Sequence, residues 1–520
     1  EEAKKVLVPL ADGTTNTITD SSRLSTEEDY SAVIYSKEDL IINGNGTLNV
    51  NAGYRNGIKS TDDCIIVSGT LNITSTEDGI IGKDLCGIVA GDININAGSD
   101  GIKSTYDTDT TKGNVIIEGG NITIKASNDG IQAENILVIN DGTINIKTNN
   151  CAADTTQTHI DNMDMGRGGF GFYNNKTTTT TDDTSESRKG IKAGNMLIIN
   201  DGDITIDSDD DSVHCNSVIY IYGGTINAAT GDDGVHADDL LTVNGGTINI
   251  TQCYEGLEAD DIVINDGDIS VVSSDDGINS SDGSITINGG NLLINASGDG
   301  LDANGSIIIN GGYIVVLGPT SDGDTAIDYD DSCTINGGTV MAFGSSGMLE
   351  IPKGASNGAC IVTAFTSVSG GSKYTLSDSN GNEILSYTPS KAYAAAIVYS
   401  DKITTGNTYN ITAGSTTLSI EVTSDVTSNV SSGFGGAGGM NKPGNGGSGM
   451  PNNGSSDNGM NGNSNGSMPD MSGNGAPDMN GNSSGDMPSM GGNSSNNSGN
   501  MPNMNNGSSN VNAPQMNNRM

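Results

Sequence analysis

Seven acidic residues, Asp100, Asp129, Asp211, Asp233, Glu255, Asp276 and Asp299, each stand immediately before the residue that opens a repeating motif. The last five follow one another at intervals of 22, 22, 21 and 23 residues. If successive copies stack as strands, neighbouring carboxylates lie about 4.8 Å apart. They then repel by about 1 kcal/mol in water and about 3.5 kcal/mol at an effective dielectric near 20. A hard divalent cation such as Ca²⁺, which takes about six to eight oxygens in loose geometry, neutralises such a ladder well. For any one Asp, a conformational role in a turn is sufficient. For the ladder as a whole, Ca²⁺ is the expectation.

Two further series run in step. Two places after the opening residue come Lys59, Lys103, Gln132, Lys192, His214, His236, Glu258, Asn279, Asp302 and Asp328, so the sign changes from basic to acidic along the chain. Four places after it come Glu134, Asn216, Asp238, Asp260, Asn304 and Asp330. The expected metal ligands are Asp211, Asp233, Asp238, Glu255, Glu258, Asp260, Asp276, Asp299 and Asp302. Lys59, Lys103 and Lys192 are candidates for pairing with acidic sugars. His214 and His236 fall on consecutive copies, as a hydrogen-bonding pair, a sugar contact or transition-metal ligands. No copy stands out as a catalytic centre, so no catalytic residue is assigned. Neither an EF-hand loop nor the nonapeptide of calcium β-rolls occurs.

The elements that must position these side chains follow from the repeat. The opening residue is Gly57, Gly79, Gly101, Gly130, Gly190, Gly234, Gly256, Gly277 and Gly300, with Ser212 and Ala326 standing in. A second glycine series, including Gly69, Gly91, Gly142 and Gly246, keeps the same period. Between glycines lie short β-branched runs such as residues 203–206 and 247–250, alternating apolar and polar, which is the pattern of half-buried strands. No helical periodicity is present. Three short strands and their turns fill one rung of about 22 residues. Stacked rungs form a parallel β-helix, which shares one core among units that cannot bury their own apolar faces. The residues one and three places after the opening glycine are aliphatic and small, so they face inward. Those at two and four places therefore face outward.

The expected fold is all-β: a right-handed parallel β-helix of about twelve rungs over residues 31–342, preceded by a lead-in at 1–30. A small β cap at 343–425 and a disordered tail at 426–520 follow. Twelve of the 17 Met lie in that Gly/Asn/Ser-rich tail, which carries little of the net charge of −42. Two spacings are long. Residues 105–112 account for one. Residues 151–188 account for the other, as a surface insertion with Phe170, Phe172 and Tyr173 placed for stacking on sugar rings or as a tolerated loop. The seven Cys form no disulfide or zinc pattern, and Cys64, Cys86 and Cys333 take an aliphatic slot. The acidic balance excludes nucleic acid, and no stretch is long enough for a membrane span. The opening Glu-Glu-Ala-Lys-Lys, with neither Met nor signal peptide, suits a processed or trimmed exported protein.

Residues 233–238 (Asp-Gly-Val-His-Ala-Asp), 245–250 (Gly-Gly-Thr-Ile-Asn-Ile) and 386–391 (Ser-Tyr-Thr-Pro-Ser-Lys) resemble the bacterial cellulose- and acid-sugar-binding β-helix family, a group of carbohydrate-binding domain proteins. The resemblance spans about residues 30–425. It implies a pectate-lyase-like fold, Ca²⁺ along the helix and polysaccharide binding without catalysis. The expected function is thus an extracellular or cell-surface bacterial protein that binds Ca²⁺ and a cellulosic or acidic plant polysaccharide such as pectin. The alternatives are a calcium-dependent polysaccharide lyase, with Lys103 or Lys192 as base, and a structural adhesion protein whose tail meets the cell surface or a partner.

Overall fold

The computed structural model describes residues 4–20, 31–149, 151–153 and 187–430. Each rung contributes three strands, as in Val213–Cys215, Val218–Ile221 and Thr225–Thr230. The first, entered through the opening glycine, and the second, aliphatic one stack into one long parallel sheet, and the third strands stack into another. About thirteen turns result, close to the expected twelve. The third strands alternate outward and inward, as in Asp92–Ala97, where Ile93, Ile95 and Ala97 are buried. Ile204, Ile226, Ile248, Ile269, Leu292, Ile314 and Val340 sit on successive third strands, and one core runs through the solenoid.

The two glycine series serve different purposes. At the opening glycine the limit is space. A Cβ on Gly101 would lie 2.4 Å from Ile124 Cγ2 and 2.5 Å from the Gly130 carbonyl oxygen on the next rung. At the second glycine the limit is conformation, since Gly142 has φ 127°, a region that L side chains rarely adopt. The cysteines behave as apolar side chains. Cys64 and Cys86 stack on adjacent rungs, fully buried, and they and Cys333 are free thiols.

The solenoid ends in antiparallel structure. Tyr393–Ser400 pairs antiparallel with the last third strand, Thr339–Gly344, and with Ala359–Val368. Strands Tyr374–Asp378, Glu383–Tyr387, Thr408–Ala413 and Thr416–Glu421 make a separate four-stranded antiparallel sheet. Phe343 packs edge-on against Tyr374 and Tyr393, with ring centres 5.4 and 5.1 Å away. Lys391 donates to the carbonyls of Ala296 and Leu317, tying this unit back to the solenoid.

Two rungs depart from the regular pattern. The first and second strands merge into Val235–Val243 and Leu257–Ile264, and their mutual register slips between Ala237 and Leu240. The neighbouring third strand, Thr247–Cys253, is also irregular against both of its partners.

Candidate functional site

The acidic ladder lines the turn that leads into the first strand, and much of it is buried. Asp100, Asp129, Asp211 and Asp233 expose 3% or less of their surface. The reason lies in the backbone. Asp100 Oδ1 accepts the N–H of Asp129 (3.0 Å), Asp129 Oδ1 that of Lys189 (2.8 Å), Asp211 Oδ1 that of Asp233 (3.1 Å) and Asp233 Oδ1 that of Glu255 (3.1 Å). Asp276 and Asp299 do the same for Asp299 and Thr325. Each of these six carboxylates thus caps the corner amide of the next rung, whereas Glu255 accepts from Asn279 Nδ2 at 2.8 Å. A charge-assisted bond of this kind stabilises by about 1.5–3 kcal/mol, which offsets much of the repulsion between stacked acids.

The second oxygen of Asp100, Asp211 and Asp233 faces the outward series. Pairing places Tyr35, Lys59, Ile81, Lys103, Gln132, Lys192, His214, His236, Glu258, Asn279, Asp302 and Asp328 side by side in that order. Because the acid and the outward residue are three apart in one turn, they meet. Lys103 Nζ lies 2.6 Å from Asp100 Oδ2. His214 Nδ1 lies 2.9 Å from Asp211 Oδ2. His236 Nδ1 lies 3.4 Å from Asp233 Oδ2, 3.3 Å from Glu258 Oε2 and 3.7 Å from Asp211 Oδ2. Lys192 donates to Ser187 Oγ at 3.2 Å. Lys189, in the turn, lies 2.9 Å from Asp210 Oδ1 and 2.5 Å from Asp211 Oδ2.

The consequence is a change of electrostatic regime along the molecule. Burial alone would raise Asp211, but Lys189 and the two imidazoles hold it well below the usual carboxylate range. Burial would lower His236, yet its contacts with Asp211, Asp233 and Glu258 carry it up to about 11. Further along, acid meets acid. Burial and the neighbouring Glu258 and Asp233 push Glu255 up to about 10. Burial with Asp275 and Asp302 pushes Asp276 up to about 7. Burial with Asp276, Asp302 and Asp328 pushes Asp299 up to about 8, and burial with Asp328 and Asp330 pushes Asp302 up to about 6. Among the described residues no cationic side chain pairs with Asp276, Asp299 or Asp302.

Of the expected metal ligands, the structure brings oxygens of Asp276, Asp299 and Asp302 within 4.8 Å of one another. Asp211 joins His214 and His236 in a second cluster, and Asp233, His236 and Glu258 form a third. Glu255, Asp238 and Asp260 join no such cluster among the described residues; Asp238 is exposed near His236, and Asp260 accepts from Ser281 at 3.2 Å. Lys103 and Lys192 are occupied by their own turns, and Lys59 is half-buried in register between Tyr35 and Ile81. Phe170, Phe172 and Tyr173 lie outside the described residues.

Sequence reasoning missed the cluster of Asp39, Asp62 and Asp63. It also missed Lys189, Arg188 and Asp209, where Arg188 lies 2.9 Å from Asp209 Oδ2. The first was legible as an Asp-Asp pair after the strand Asn56–Ser60, a place outside the phases followed. The second turns on how the chain re-enters after residue 186, which periodicity does not reach. The long spacing at 105–112 builds a cleft of about 290 Å³ lined by Tyr106, Asp109, Glu134, Asn195 and Asn216. Lys83 and Lys112 each sit 4.8 Å from the centre of the Tyr106 ring.

Residues 1–234 and 232–419 match the profile of a family described as carbohydrate-binding domain-containing protein. A protein of that description from Acetivibrio thermocellus is 39% identical over 77 residues, 14% of this chain. The match spans only 27% of that relative's length. No solved structure matches the chain. Since the two profile matches together cover most of the sequence, including the rungs that carry the acidic ladder, the chain belongs to the carbohydrate-binding domain-containing protein family.

Proposed function

We propose that this protein is an extracellular, non-catalytic binder of an acidic polysaccharide, with Ca²⁺ at Asp276, Asp299 and Asp302 joining protein carboxylates to those of the sugar. The observation that carries this reading is the stretch of ladder where three acids converge without a cation of their own. The donors are oxygens only, which suits a hard cation rather than a thiophilic or imidazole-seeking one. Thr325 Oγ1, next in the same ladder, is buried with no hydrogen-bond partner and supports the fit. Three side chains leave room in a shell of about six to eight oxygens for waters and uronate oxygens.

The lyase reading needs a neutral base. Burial works to lower Lys103, but Asp100 and its neighbours raise it above its ordinary value, so it stays protonated at neutral pH. This counts against Lys103 as the base of a lyase. The test is retention of polygalacturonate by the full chain in Ca²⁺ and in EGTA. Binding should need Ca²⁺ and should fall at least tenfold in Asp299→Asn and Asp302→Asn. Equal binding in EGTA would refute the calcium bridge, and unsaturated product absorbing in the ultraviolet would refute the non-catalytic reading.

A further inference from the structure

The chain contains only three His, and two of them, His214 and His236, are paired in register on adjacent rungs. Their rings meet edge to face, 4.9 Å between centres. His214 is 8% exposed. Its Nε2 lies 2.8 Å from Asn216 Oδ1, and its buried Nδ1 faces Asp211 Oδ2, 2.9 Å away. His236 repeats the arrangement, its Nδ1 being within 3.7 Å of carboxylate oxygens from Asp211, Asp233 and Glu258.

We infer that His214, His236 and Asp211 form a site for a borderline divalent transition cation of the Zn²⁺ class, with Asp233 and Glu258 in a neighbouring cluster around His236, separate from the oxygen-only cluster at Asp276, Asp299 and Asp302. Four observations converge. Ligands bound at about 2.0–2.1 Å around one metal stand about 2.9–3.4 Å from each other; His214 Nδ1 lies 2.9 Å from Asp211 Oδ2 and His236 Nδ1 3.7 Å from the same oxygen, so a small shift of His236 completes the set. The donor set mixes imidazole nitrogen with carboxylate oxygen, which favours Zn²⁺ over Ca²⁺. Asn216 holds His214 through the ring nitrogen opposite the metal-facing one, the usual outer support of a metal-bound histidine. Finally, the site sits beside the register slip between Ala237 and Leu240. Irregularities of this kind concentrate where a side chain is re-aimed for function. Loading is a proton-for-metal exchange in which the dication takes the place of protons held on the imidazoles. Lys189 remains on Asp211 and Asp210 and balances charge that the metal leaves.

The test uses the full chain, stripped with chelator and titrated with Zn²⁺ alone by calorimetry, with Co²⁺ as the spectroscopic probe. The expected results are one saturable equivalent of Zn²⁺, visible Co²⁺ absorption of a four- or five-coordinate site, and binding weakened roughly tenfold or more in His214→Gln and in His236→Gln. Excess Ca²⁺ and the Asp299→Asn change should leave Zn²⁺ binding as it was, which separates this site from the proposed calcium bridge. If the histidine variants misfold, ¹⁵N-histidine spectra of the unsubstituted protein decide instead: one equivalent of Zn²⁺ should displace Nδ1 of two imidazoles. Absence of stoichiometric Zn²⁺ binding, undiminished binding in the folded double variant, or spectra in which those two Nδ1 signals stay put would overturn the site.

Discussion

At the residue scale, the stacked acids act first on the backbone. Asp100 shows the division of labour, Oδ1 on the Asp129 amide and Oδ2 on Lys103. Asp100→Ala should therefore destabilise the protein by about 2–3 kcal/mol, since it strands a buried N–H and removes an ion pair. Asp100→Asn keeps an oxygen at the corner and should cost less than half of that; urea unfolding midpoints of the two variants check the order. The opening glycines are equally sharp. Gly101→Ala puts a methyl group against Ile124 Cγ2 and a neighbouring carbonyl oxygen, neither of which can retreat without moving a strand. A loss of about 1–3 kcal/mol is expected, against almost none for Gly323→Ala, where nothing lies within 4 Å.

At the element scale, the first strands act as a graded electrostatic edge. Where Lys189, His214 and His236 face the turn, the acids are paired within the protein. Where Asp276, Asp299 and Asp302 face it, they are raised to about 7, about 8 and about 6 from an ordinary value near 3.8. An acid raised on folding binds its proton more tightly in the native state, so the native state holds more protons between the two pKa values and stability falls as pH rises. In EGTA, the melting temperature should therefore drop across the window from about pH 4 to about pH 8. With Ca²⁺ present the drop should be reduced, because the cation replaces the protons. A melting profile that rises through this window in EGTA, or that Ca²⁺ leaves unchanged, would count against the calcium reading.

At the scale of the whole molecule, a solenoid is open at its ends, and the antiparallel unit closes one of them. Tyr393–Ser400 covers the edge of Thr339–Gly344, and Phe343 and Met341 are buried there. A chain ended after residue 344 would present an unpaired parallel edge with apolar side chains, a template for edge pairing. It should self-associate in light scattering at concentrations where the full chain does not. Among the described residues, no helix is long and apolar enough to cross a membrane.

The sequence by itself determined the period, the inward and outward phases and the basic-to-acidic drift of the outward series. A strand side chain alternates sides, and a fixed repeat brings equivalent residues together on adjacent rungs, so Lys192, His214, His236 and Glu258 had to be neighbours. The cap was legible as the place where that repeat stops. What the acids before each glycine would touch was not legible, because alternation does not extend around a corner. Only the folded turn sets whether Asp211 and Asp233 splay into water or bend back onto the amide one rung on. The same holds for Lys189, whose approach to Asp211 depends on how the chain returns after residue 186. Tertiary structure therefore decided which carboxylates meet a cationic side chain of the protein and which meet other acids. The physical reason is that burial and partner geometry, rather than residue type or spacing, set the cost of each charge.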